Sequence, residues 1–227
     1  MKKLFVMILL FSASVIFADI TIVQKVQTAA IMGQPPQNIM VTLYIKGNRA
    51  RIEGIGENAN VYQIIDLNEK KMWIVDNNKK QVAIVSSEMM NAAEQTMEKM
   101  GKQTKTDVQK TGKSDTVNGY KCDEYTINTT GGVINMNSTQ CVTNDVKADE
   151  FEPFRKYAES YVKMMGNVST PKGVPVRTNA KISLMGQTFE SKAEVQSISR
   201  ERIAESQFKI PPDYKVVGIP QSQESHP

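Results

Sequence analysis

Histidine is almost missing from this chain: the single one, His226, sits next to the C-terminus. That removes the base from any Ser-His-Asp or Cys-His arrangement and the ligands from any His-rich metal site. Cysteine is scarce as well, with only Cys122 and Cys141. Neither stands where the N-terminal apolar run ends, so the lipoprotein route, which acylates a cysteine at the cleavage point, is closed. No Walker loop, G-x-G-x-x-G, H-E-x-x-H or G-x-S-x-G is present. Carboxylate pairs such as Asp66 with Asp76, or Asp123 with Glu124, are what is left for acid–base chemistry. Their plainer reading is solvated strand edges and turns. The expectation is a protein that is not an enzyme and needs no cofactor or metal.

The N-terminus reads Met1-Lys2-Lys3, an apolar run from Leu4 to Phe17 broken only by Ser12 and Ser14, then Ala18 before Asp19. A basic start, a short apolar core and a small residue form a signal peptide, and the run is too short for a spanning helix. Residues 1–18 are therefore expected to be an address. The mature chain is expected to be periplasmic or secreted, without a transmembrane segment. Setting aside Lys2 and Lys3 leaves 26 basic residues against 24 acidic ones. So small and dispersed a balance gives no pull towards nucleic acid. Residues 19–220 are read as one domain and 221–227 as a polar, disordered tail.

An oxidising compartment allows Cys122 and Cys141 to pair. If Tyr120 to Val142 is a hairpin turning at Gly131-Gly132, the two cysteines lie opposite each other, within the separation a disulfide tolerates. A redox pair or a metal site is the alternative. Redox pairs come as C-x-x-C and metal sites need more ligands, so a structural staple is favoured.

From Ile20 to Ser87 strand follows strand: 39–46, 49–55, 61–67, 71–76 and 80–86 are rich in Val, Ile, Tyr or Trp. Turn chemistry such as Lys46-Gly47-Asn48 and Asp76-Asn77-Asn78 separates them. Connections this short force antiparallel neighbours, hence a meander. After Ser86 and Ser87, residues suited to cap a helix, the period becomes helical, with Met89, Ala93, Met97 and Met100 on one stripe and Gly101 ending it. A second helix is expected over 149–165, with Phe151, Phe154, Ala158, Tyr161 and Met165 three and four apart. Each amphipathic helix must rest on a partner, and the sheet offers a face. Residues 177–185 and 187–199 form a returning hairpin about Gly186, after which Phe208-Lys209-Ile210-Pro211-Pro212 leaves the sheet.

Methionine is plentiful, with eleven after residue 18. It fills irregular core space, lines adaptable apolar grooves, or binds copper(I) through its thioether. Only Met89-Met90 and Met164-Met165 are adjacent, and neighbours on a helix point apart, which disfavours copper.

Four ordered segments resemble a family: residues 44–51 (Tyr44-Ile45-Lys46-Gly47-Asn48-Arg49-Ala50-Arg51), 64–76, 117–125 and 208–214 (Phe208-Lys209-Ile210-Pro211-Pro212-Asp213-Tyr214). Their order and spacing resemble the bacterial domain of unknown function numbered 4412. That family is similar in turn to the periplasmic lipoprotein carriers of the Lol pathway (LolA-like). The resemblance implies a mainly β (α+β) fold: a curved antiparallel sheet forming an open half-barrel, with the two amphipathic helices on its concave face. It implies no catalytic residues. The expected function is binding or carrying a lipid, acyl chain or other hydrophobic ligand between sheet and helices. The lining would be Met89, Ala93, Met97, Met100, Phe151, Phe154, Tyr161, Met165 and Trp73. The alternative is a non-catalytic structural or protein-interaction module of the envelope, with an envelope protein as partner.

Overall fold

A computed structural model of the 227-residue chain describes residues 19–30, 35–54, 60–89, 92, 95, 105–131, 134–146, 171–184 and 186–218. The expected signal peptide, the second helix and the tail from 221 lie outside them. Twelve strands are described: β1 (Ile20–Thr28), β2 (Gln37–Lys46), β3 (Arg49–Glu53), β4 (Val61–Asp66), β5 (Lys71–Asp76), β6 (Gln81–Val85), β7 (Lys105–Val117), β8 (Tyr120–Thr130), β9 (Ile134–Thr143), β10 (Val174–Leu184), β11 (Gln187–Ser199) and β12 (Lys215–Val217). They form one open sheet in the order β12-β6-β5-β4-β3-β2-β1-β11-β10-β9-β8-β7. Two meanders, β1 to β6 and β7 to β11, are therefore joined along β1 and β11.

Local chemistry sets the first meander. Asp66 Oδ1 accepts the backbone N–H groups of Asn68 and Glu69 at 2.8 and 3.1 Å. Asp76 Oδ1 does the same for Asn78 and Lys79, at 3.0 Å each. Each four-residue turn then closes on a lysine with positive φ, Lys70 (50°) or Lys80 (49°). The aspartates of Asp-Leu-Asn-Glu-Lys and Asp-Asn-Asn-Lys-Lys are thus turn anchors, the role short acidic side chains take in turns. They sit at opposite ends of β5, about 17 Å apart by strand rise. Asp66 and Asp76 do not form a pair.

The sheet is strongly coiled where the second meander meets the first. Beyond Glu194, β11 pairs with β1 but no longer with β10, and a bulge falls between Val195 and Ser197. The backbone groups released there are taken by the β7–β8 turn. Asn118 Nδ2 donates to the Val195 carbonyl at 2.7 Å, and the Ile198 N–H donates to Tyr120 Oη at 2.7 Å. In hydrogen-bonding order β8 is three strands from β11, about 14 Å across a flat sheet. A tyrosine spans that gap only if the sheet rolls over. The main core lies at this joint, where Ile20, Ile45, Ala50, Ile65, Val117, Val174, Val176 and Val195 share one cluster drawn from both meanders.

The disulfide is formed, with Cα atoms 5.3 Å apart and both cysteines buried in that core. Its register differs from the expected one: Cys141 faces Glu124, so Cys122 lies diagonally across rather than opposite. The pairing of β8 with β9 centres one position later than Gly131-Gly132, and twist brings the diagonal pair within reach. Closing a loop of this length contributes about 3 kcal/mol in the chain-entropy account.

Two further differences from expectation concern elements. β7 carries no sequence signal, because Lys105–Val117 is an exposed edge strand with little apolar alternation. The chain does leave the sheet near Phe208, through a 3-10 turn at Glu205–Phe208, but returns as β12, parallel to β6. Of the two helices, only the start of the first is described: it begins at Ser87, and the Ser86 hydroxyl accepts the Met89 N–H at 3.4 Å.

Candidate functional site

Register assigns every strand residue to one of two faces. The row Ile20–Ile45–Ala50–Ile65–Met72 runs straight across β1 to β5, buried as far as Ile65. Residues two and four positions along each strand continue the same inner face: Ile22, Leu43, Ile52, Gln63 and Ile74, then Gln24 and Val41, with Val26 further along β1. Most of this continuation is half-buried. The inner face of the first meander is thus a mostly aliphatic wall, interrupted by Gln24 and Gln63, with Leu43 and Ile52 packed against the core and the rest partly open further along.

The face that carries Val26 continues onto the second meander through Ala193 and Thr178, while Cys141, level with Glu124, lies on the other face there. On the Val26 face the rows read Tyr125–Gln140–Thr178, then Ile127–Ser138–Ala180, then Thr129–Met136–Ile182 across β8, β9 and β10. Ile127, Thr129 and Ser138 are buried. The Thr129 hydroxyl meets that of Thr106 on β7 at 3.1 Å. At the rim the Lys110 ammonium donates to Asp123 at 2.6 Å. This contact raises the lysine pKa and, with a hydrogen bond from Ser114, lowers that of Asp123. Glu124, adjacent in the strand, points to the other face and accepts from the Thr111 hydroxyl at 3.0 Å. Asp123 and Glu124 therefore do not converge.

Of the residues expected to line a cavity, Ala93, Met97, Met100, Phe151, Phe154, Tyr161 and Met165 lie outside the described residues. Met89 is in the first turn of the helix and 46% exposed. Trp73 requires a correction. It pairs with Ile64, on the face opposite Ile65 and Met72. There it packs against Tyr62, Ile64, Val75 and Val82 together with Ile210 and Tyr214 from the C-terminal segment. Trp73 belongs to an outer core and not to the inner wall. The physical reason is visible in β5 itself: Lys-Met-Trp-Ile-Val-Asp is apolar on both faces.

Cation–carboxylate contacts fasten that outer cover. Arg49 stacks over Phe208, 5.1 Å from the ring centroid, and pairs with Glu205 at 2.7 Å. Arg51 lies 3.6 Å over the Tyr62 ring and donates to the Gln207 carbonyl. Lys46 pairs with Asp19 at 3.3 Å, while the Asp19 carboxylate accepts the Ile203 N–H at 2.6 Å. The hydrogen bonds from Arg49 and Lys46 hold the Glu205 pKa below the usual carboxylate range. Burial, then the Glu53 charge, pushes the Tyr44 pKa up.

A second concavity of about 550 Å³ opens beside the disulfide, lined by Asp115, Lys121, Asp123, Val142 and Asp145 among others. It is open to solvent and lined by both polar and apolar side chains. Among the described residues no three His, Cys, Asp or Glu side chains are grouped as a metal site would require. No described helix is long and apolar enough to cross a membrane.

The inner-face residues Val26, Val41, Leu43, Ile52 and Ile74 escape a sequence reading that looks for a lining on helices. Parity is the signal that finds them: in β1 and β2 they fall at even and odd positions in step with Ile20 and Ile45.

Solved structures similar at low identity include three. One is an uncharacterized conserved protein from Thermus thermophilus, 13% identical, covering 89% of this chain and 91% of that one, TM-score 0.48. PNGF-II is 11% identical over 89% of this chain and 31% of its own, TM-score 0.41. A LolA superfamily protein from Nitrosomonas europaea is 9% identical over 85% and 90%, TM-score 0.37. At these scores the likenesses lend no weight to a functional reading. No curated protein matches the chain. Residues 30–214 match the model of the domain of unknown function DUF4412, and the chain belongs to that family.

Proposed function

We propose that this protein binds and carries a hydrophobic molecule, a lipid or acyl chain, held against the inner face of its sheet, and that it works in the periplasm or outside the cell without catalysing a reaction. The observation that carries this reading is the half-buried aliphatic wall of Val26, Val41, Leu43, Ile52 and Ile74, a surface too apolar to be left bare. Sites for small hydrophobic molecules are mostly apolar, with few polar anchors. The chain between Val85 and Lys105 also links strands near opposite sides of the open sheet. A buried disulfide fits an oxidising compartment.

The test is native purification, organic extraction and mass spectrometry, alongside titration with a fluorescent fatty acid. The expected result is a co-purifying lipid and saturable binding that Ile52→Glu weakens by about tenfold or more while the disulfide still forms. Absence of both extractable lipid and probe binding would overturn the reading and favour a structural module.

A further inference from the structure

We propose that Ser138 is the hydrogen-bonding anchor of the inner face and that the molecule held there is an acyl ester: its carbonyl oxygen accepts from the Ser138 hydroxyl while its chain lies along the aliphatic wall. This rests on the carrier reading above and narrows its ligand.

Ser138 is 1% exposed, and among the described residues its Oγ is a buried side-chain polar atom with no hydrogen-bond partner. Buried hydroxyls are nearly always satisfied, so one left open asks for a reason. Its position explains why the neighbouring strands supply no partner. On β8 it faces Ile127 and on β10 Ala180, and neither side chain carries a donor or acceptor. One row further along, the Thr129 hydroxyl is already engaged with Thr106. The hydroxyl therefore stands on the inner face of β9, in an apolar setting, at a cost that a bound acceptor would offset.

Charge on the same face selects the kind of acceptor. Lys110, which pairs with Tyr125 one row away on this face, is already matched by Asp123 at the rim. An ionised carboxylate or phosphate beside Ser138 would be desolvated without a counter-ion, a heavy penalty. A neutral ester carbonyl needs one donor only, and Ser138 offers one. The two meanders thus divide the work, with β1 to β5 facing the chain and β9 facing its polar end.

Three probes of matched chain test this on the intact mature protein by displacement of a bound fluorescent dye: methyl oleate, oleate and 8-heptadecene. The wild type is expected to take methyl oleate about tenfold more tightly than either of the others, the ratio a single good hydrogen bond supplies. Ser138→Ala should abolish that preference, leave heptadecene binding unchanged, and raise the unfolding temperature of the ligand-free protein by removing an unpaired hydroxyl. If the wild type binds heptadecene and methyl oleate equally, the anchor is refuted while the apolar site stands. If oleate binds best, the neutral-ester assignment is refuted. If no probe binds, the carrier reading falls and takes this one with it. A lower unfolding temperature for Ser138→Ala would show that the hydroxyl serves the fold, and would overturn the proposal.

Discussion

At the scale of single residues, two glycines show how far backbone geometry constrains the sheet that carries the aliphatic wall. Gly47, in the β2–β3 turn, has φ +56° and nothing within 4 Å of where a Cβ would stand. Gly54, just past β3, has φ +79°, and a Cβ there would collide with the Met40 carbonyl oxygen. The first site asks only for a left-handed backbone, which costs an alanine about 1 kcal/mol. The second adds a collision with main chain that no rotamer relieves. Gly47→Ala is therefore expected to destabilise by about 1 kcal/mol and Gly54→Ala by about 3 kcal/mol. Urea denaturation of the two variants side by side measures the difference. Equal losses would mean that β2 and β3 separate easily near Gly54, and that the wall between Val41 and Ile52 is softer than the register implies.

At the scale of elements, the contact that rolls the sheet is the β7–β8 turn against the edge of β11 that β10 leaves. Tyr120→Phe keeps the ring but strips the acceptor from the half-buried Ile198 N–H. An unsatisfied amide of that kind costs about 1 to 3 kcal/mol. The expected outcome is a loss of about 2 kcal/mol together with faster hydrogen exchange at the Ile198 amide, while the amides of β4 and β5 keep their protection. Exchange that accelerates equally everywhere would show that the turn does not act locally. None of this joint is legible in the sequence, because it depends on a bulge, and a bulge has no composition of its own. The first meander is legible, since its Val, Ile and Tyr runs end at Asp-anchored turns of fixed length. β7 is not, because an edge strand is protected by lysines and a bulge near Gly112 rather than marked by apolar alternation. The disulfide partners are legible and their register is not: Gly131-Gly132 reads as the turn, yet the strands pair about a centre one step later. The inner wall is hidden for a related reason. Strands apolar on both faces, such as β5, do not announce which face is inside, so Trp73 reads as inner and packs outside.

At the scale of the whole molecule, distant parts of the chain are tied by exposed ion pairs, and their carboxylates share one property. Hydrogen bonds from Arg177 hold the Asp115 pKa down across β7 and β10, those from Lys110 do so for Asp123, and those from Arg49 and Lys46 do so for Glu205. A bond from Lys80 likewise lowers Asp213 at the return to β12, and the Lys79 backbone amide lowers Asp76. A carboxylate with a folded pKa below its unfolded value adds stability that is fully present above the unfolded pKa. That stability is lost as pH falls through the folded value. Every one of these shifts has the same sign, so their effects accumulate in acid and do not cancel. Near neutrality little titrates, because the chain has a single histidine. The unfolding temperature is therefore expected to stay nearly flat between about pH 6 and 8 and to fall progressively below about pH 4.5, where free carboxylates begin to protonate. Each pair is exposed and screened, so salt at about 1 M should flatten the acid slope. Calorimetry from about pH 3 to pH 8 in low and high salt measures this. A decline centred near the ordinary histidine pKa of about 6.5, or an acid slope indifferent to salt, would place the controlling groups elsewhere than in the ties between β7 and β10 and between β3 and the C-terminal segment.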